Sequence, residues 1–161
     1  MKSHLLVIFI SFLLSSCISV QVPLGPKPKL ENVQFEIPST PFVELSTDTA
    51  DAAWISERTG NTLSFLSECK SPFEKVEDVS MDAVKGIENA KVVENKNITI
   101  GGIPSHQITV QGFVETSKVK MSVATLKSEG CFVTLTYGGL EKNFSTEFST
   151  FESFKKGFKA P

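Results

Sequence analysis

The sequence predicts an α+β domain in which an antiparallel β-sheet of about six strands, four of them a consecutive meander, is sandwiched by helices near 71–87 and 144–158. Three observations carry this. Apolar residues recur with period two from Lys91 to Tyr137, interrupted three times by turn-forming residues. Spacings of three and four flank that stretch, in Phe73 to Ile87 and in Phe144 to Phe158. Both strand parities are apolar: Phe113 and Phe132 point opposite to Val110 and Val133, so each face of the sheet needs cover.

The 161-residue chain divides into a signal segment over 1–16, a tether over 17–30 and a single globular domain over 31–161. Lys2 precedes an apolar run from Leu5 to Leu14, broken only by Ser11. At about ten residues this run suits a signal-peptide core and falls short of the ~20 that a spanning helix needs. In Leu14-Ser15-Ser16-Cys17 the small serines admit a peptidase, and Cys17 supplies a thiol for a diacylglyceryl group. This stretch resembles the lipobox of bacterial lipoproteins. An ordinary secretory signal followed by a chance cysteine, or a short membrane anchor, are the alternatives. The resemblance implies that Cys17 holds the chain to a membrane of the bacterial envelope through its lipid. Because Ile18 rather than aspartate follows, it implies the outer membrane. Ile18 to Leu30 carries Pro23, Gly25, Pro26 and Pro28, a composition that favours extended chain reaching up to ~40 Å.

Within the domain, Val33 to Ile37 alternates apolar and polar before Pro38, as a short edge strand does. Ala52 to Ile55 and Thr62 to Cys69 read as a hairpin turning through Arg58-Thr59-Gly60-Asn61. Ser71-Pro72-Phe73-Glu74 has the residues of a capping box with proline at the first helical position. Val76, Val79, Ala83, Val84 and Ile87 continue that helix on one face, opposite Glu74, Glu77, Asp78 and Asp82. The meander strands run over 91–100, 105–114, 118–126 and 131–137, and their short links force antiparallel neighbours. Phe144, Phe148, Phe151, Phe154 and Phe158 form one stripe of a closing helix. Glu147 near its start and Lys155, Lys156 and Lys159 near its end complement the helix dipole.

If Cys17 is acylated, Cys69 and Cys131 remain as an even pair in a compartment where disulfides persist. Strand parity points both thiols to apolar faces, which favours a bridge over two buried free thiols.

The order of hairpin, helix, meander with Gly101-Gly102-Ile103-Pro104, and closing helix ending in Ser153-Phe154 resembles the PsbP-like fold, as does the strand Gly130-Cys131-Phe132-Val133-Thr134-Leu135-Thr136-Tyr137. The resemblance covers about Val33 to Phe158. It implies an antiparallel sheet between helices, used mostly as an assembly or docking module, and no catalytic residue carries over from it.

The chemistry-bearing residues are sparse. A formal charge of -2 and a single arginine, Arg58, do not suit a nucleic-acid backbone. His106 is the only histidine after residue 16, and its parity with Ile108 and Val110 makes it a structural or rim residue rather than a catalytic base. Neither metal-ligand spacing nor a phosphate-cradling or nucleophile-elbow motif is present, and no cofactor is expected. The acidic helix flank reads as a solvated face. Trp54 and Tyr137 would anchor a partner if exposed, core packing being the preferred reading for both; Arg58 at a turn tip is a rim-contact candidate.

The expectation is a lipid-anchored, non-catalytic interaction module that docks on another envelope protein through an exposed sheet edge or loop. A periplasmic carrier of a small apolar ligand, held between sheet and helix, is the alternative, and a hydrolase built around His106 ranks last.

Overall fold

A computed structural model describes residues 28–161. The signal segment, Cys17 and the tether up to residue 27 lie outside the described residues. In chain order the elements are β1 (Phe42–Glu44), β2 (Ala52–Ser56), β3 (Thr62–Glu68), α1 (Val76–Ala83), β4 (Glu88–Ile100), β5 (Ile103–Val114), β6 (Ser117–Ser128), β7 (Cys131–Leu140), α2 (Glu141–Phe144) and α3 (Phe148–Gly157). The strands form one seven-stranded sheet in the order β1-β2-β3-β7-β6-β5-β4, antiparallel at every pair. The expected meander is β4 to β7.

Seven strands replace the expected six or so, and the N-terminal edge differs. Val33 to Ile37 is not a strand; only Gln34 bridges, to Lys159. The edge strand is the three-residue β1, paired with β2 through Phe42 and Ser56. Alternation at Val33 and Phe35 reports burial without pairing: both pack on the core, and Phe35 meets the rings of Trp54, Phe65, Phe154 and Phe158. The folded region also begins before residue 31. Leu30 donates its backbone N–H to Ser67 Oγ at 3.1 Å, and Lys29 pairs with Asp51 at 3.2 Å.

Both helices are shorter than expected. α1 starts at Val76 with Lys75 as an N-cap that makes no side-chain bond. The Ser71 hydroxyl accepts instead from the Phe73 amide at 3.3 Å, closing a local turn that competes with the helix cap. The closing helix is split, because Ser145 to Glu147 leave the helical path between α2 and α3. The phenylalanine stripe survives the break: Phe144, Phe151, Phe154 and Phe158 are all buried.

Each face of the sheet has its own core. On one, α2 and α3 lay those rings over Trp54, Leu63, Phe65, Ala124, Leu126, Val133, Leu135 and Tyr137. On the other, Val84 and Ile87, following α1, cover Ile108, Val110 and Val123. Burying one such ring stabilises by roughly 2 to 3 kcal/mol, so the first core carries much more of the fold. Cys69 and Cys131, 62 residues apart, are joined as a disulfide between the end of β3 and the start of β7.

Candidate functional site

Two polar arrangements stand out, and they differ in kind. The first is a buried carboxylate, Glu147, only 3% exposed at the start of α3. The β2–β3 hairpin surrounds it with donors. Ser56 Oγ donates to its Oε1 at 2.8 Å, and Arg58 donates to the same oxygen through Nε at 3.2 Å and Nη2 at 3.0 Å. Thr59 Oγ1 and Asn61 Nδ2 donate to Oε2 at 2.5 and 3.1 Å. Burial is the largest influence and works against the charge, but the bonds from Thr59, Ser56, Asn61 and Arg58 together hold the carboxyl below its ordinary value.

Asn61 extends the cluster inward, donating to Tyr137 Oη at 2.9 Å and to the Asn143 carbonyl at 3.0 Å. Tyr137 donates in turn to the Phe144 carbonyl at 2.8 Å, and burial, then the Glu147 charge, pushes its pKa up. Asn143 Nδ2 returns a bond to the Thr59 carbonyl at 2.8 Å. This grip on residues 143–147 is why the closing helix breaks there. It depends on Gly139, since a Cβ at that position would sit 2.1 Å from Asn61 Oδ1. All five side-chain bonds to Glu147 come from groups that hold the hairpin on the helix, and the arrangement is a brace rather than a reaction centre.

The second arrangement runs along β4, on the face shared with α3. Glu94 Oε1 accepts from Lys96 Nζ at 2.8 Å and its Oε2 from Gln107 Nε2 at 2.9 Å. The Lys96 bond holds the Glu94 carboxyl below its ordinary value. Gln107 Oε1 accepts from Lys155, a buried lysine that also pairs with Glu152 at 2.7 Å and lies over the Phe151 ring. Clefts open to either side of this chain. One of about 540 Å³ is bordered by Val93, Thr109, Lys120, Phe144 and Phe148; one of about 380 Å³ is bordered by Lys96, Ile98, Ile100, Lys155 and Lys156.

The backbone of β4 is an open sheet edge. Gly101 and Gly102 have φ of 58° and 86°, which makes the β4–β5 link a two-residue hairpin whose flanking pair, Ile100 and Ile103, exchanges both backbone hydrogen bonds. Counting back by twos, Ile98, Lys96 and Glu94 bond to β5, so Thr99, Asn97 and Asn95 turn their N–H and C=O outward. A bulge between Val92 and Glu94 ends this straight run.

The sequence candidates fall in different places. Trp54 and Tyr137 are core residues, 3% and 0% exposed, and offer no surface to a partner. Arg58 is at the hairpin tip as expected, with its side chain 61% exposed, but its guanidinium is committed to Glu147. His106 is buried on the α1 face; Asn95 Oδ1 accepts from its Nε2 at 2.7 Å, and its Nδ1 meets no partner. Among the described residues no three His, Cys, Asp or Glu side chains gather around one point, and Glu74, Glu77, Asp78 and Asp82 stay exposed on α1 and the loop before it. Of the two spaces between sheet and helix that an apolar ligand could take, the one under α3 is filled by Phe35, Trp54, Phe65, Phe154 and Phe158 at centroid separations of 5.0–6.5 Å, and the one beside α1 is a cleft of about 300 Å³ bordered by Leu66, Phe73, Val79, Ala83 and Thr136. Position near the helix ends makes Glu147 and Lys155 dipole complements; no local pattern signals the hairpin donors that gather on the first or the Gln107 contact of the second.

No family model and no curated protein matches the sequence. Solved structures do match the fold. Cyanobacterial PsbP (CyanoP) from Synechocystis sp. PCC 6803 superposes with a TM-score of 0.58 at 14% identity, over 80% of this chain and 86% of that one. LpqN of Mycobacterium tuberculosis, described as involved in cell envelope biogenesis, gives 0.61 at 11% identity, over 80% and 83%. At such identities the likeness speaks for architecture alone, and the architecture of residues 28–161 is PsbP-like.

Proposed function

We propose that this chain is a lipid-anchored protein of the bacterial envelope that works as a non-catalytic docking module. On this reading residues 1–16 are removed, Cys17 carries the lipid, residues up to Lys27 form the leash, and the outer membrane is the destination. The observation that carries it is the polarity of the domain. The chain enters beside Ser67, opposite Val133 on β7. Five of the nine exposed large apolar side chains among the described residues, Val92, Val93, Phe113, Val114 and Leu140, lie at the other end of the sheet, where Leu140 pairs with Val119 and Phe113 with Lys118; Ile37 beside α3, Met81 on α1, and Val43 and Leu45 at the β1 edge are the others. Seven residues of β7 separate the two ends, about 23 Å. A leash at one end turns the apolar end away from the membrane, towards other proteins. Likeness to LpqN, an envelope-biogenesis protein, supports the compartment. Among the described residues no helix is long and apolar enough to cross a membrane. On this reading the lipid on Cys17 makes the attachment.

The test is the mass of the mature protein. An N-terminal Cys17 bearing fatty chains, and release from membranes on Cys17→Ala, is the expected result. A mature N-terminus without lipid, or a Cys17→Ala form that stays with membranes, overturns it.

A further inference from the structure

The geometry points to β4 as the acceptor for an extended, acidic segment of a partner protein, added antiparallel as an eighth strand. This rests on the docking reading and names where docking occurs. Three features of β4 converge. Asn95, Asn97 and Thr99 offer an uninterrupted set of outward backbone groups, while the other edge of the sheet, β1, is only three residues long. Beside that edge, on the α3 face, lies the trough made by the two clefts.

The trough is also positive, although the chain as a whole has a formal charge of -2. It is bordered by Lys96, Lys120, Lys155 and Lys156, against Glu94 and Glu152 alone. Those two carboxylates already pair with Lys96 and Lys155, and Lys156 makes no ion pair among the described residues.

An added strand alternates its side chains between the two faces of the sheet. Residues opposite Lys96 and Ile98 project on the α3 face, within range of the Lys96 and Lys156 ammonium groups, and carboxylates fit there. The residue opposite Glu94 reaches the wider cleft at Val93, Phe144 and Phe148, where a bulky apolar group fits. Residues opposite Asn95, Asn97 and Thr99 face the α1 side, where small polar groups suffice. The bulge at Val92–Glu94 stops pairing beyond that point, so the recognised segment is short.

The probe is a capped peptide of this pattern, Thr-Glu-Thr-Glu-Thr-Phe, added to the full chain carrying Cys17→Ala while amide hydrogen exchange is followed residue by residue. Exchange at Asn95, Asn97 and Thr99 is expected to slow by about tenfold or more. The same peptide with lysine in place of glutamate is expected to leave it unchanged, as is the acidic peptide added to a Lys96→Glu, Lys156→Glu variant whose far-ultraviolet spectrum is normal. No slowing at millimolar acidic peptide, equal slowing by the lysine peptide, or protection confined to other residues overturns the proposal. Cross-linking in intact cells separates the two levels: adducts formed only through another face remove the β4 site and leave the docking module standing.

Discussion

The two halves of the sheet are built to different standards. Strands β1, β2, β3 and β7 lie under α2 and α3, with a large aromatic core, the disulfide and the Glu147 brace all tying the same elements together. Strands β4, β5 and β6 have α1 on one face over a core of five buried side chains, lend Ile100, Ala124 and Leu126 to the aromatic core on the other, and end the sheet at β4 with most of its residues exposed. The closed half spends most of its buried polar groups on itself, and the open half leaves the β4 backbone and the lysines beside it available to another molecule; exposed apolar side chains occur in both, Val43 and Leu140 in the first and Val92, Val93, Phe113 and Val114 in the second.

Removing a ring from the closed half does the most damage. Phe151→Ala, at a fully buried position stacked near Tyr137, is expected to cost about 3 to 5 kcal/mol in denaturant unfolding. Replacing both Cys69 and Cys131 by alanine is expected to cost about 2 to 4 kcal/mol, because the bridge closes a loop with a sequence separation of 62. Non-reducing mass spectrometry of alkylated protein checks that bridge directly: two labelled thiols besides Cys17 would contradict it.

Glu147→Leu strands the donors of Ser56, Thr59 and Asn61 and is expected to cost about 2 to 4 kcal/mol. Arg58→Ala removes a partner that is 61% exposed, and less than about 1 kcal/mol is expected. The brace also sets an acid limit. Because the folded Glu147 carboxyl sits below its ordinary value of 4.5, the unfolded chain takes up the proton first as pH falls. Its contribution is complete above about pH 4.5 and is lost as pH falls through the folded value, so Glu147→Gln is expected to flatten the acid limb of a stability profile. At the small end, Val93→Ser, half exposed in the open half, is expected to change stability by no more than about 1 kcal/mol.

Legibility followed the same division. The phenylalanine stripe, the meander and its turns were readable because each is a local repeat: a period of two, a period near 3.6, or a glycine pair at a hairpin. Val33 to Ile37 misled because alternation reports one-sided burial, and Phe35 achieves that by packing on rings rather than by pairing. The Ser71 capping box misled because its hydroxyl had a nearer amide to serve. The Glu147 brace was out of reach, since it joins residues some 90 positions apart whose approach depends on the missing Cβ of Gly139. Lys155 does lie in the last turn of α3, where its charge suits the helix dipole, but its burial was not legible for a similar reason: a lysine at a helix end is normally solvated, and only the packed sheet supplies Gln107 beneath it.

The division of labour between the halves is tested most directly by placing a photo-cross-linking amino acid at two exposed positions in turn, Asn97 on β4 and Ser153 on α3, with Cys17 intact in living cells. A discrete adduct at Asn97, with none at Ser153, is the expected result. Adducts of equal yield at both positions, or an adduct at Ser153 alone, would contradict the account.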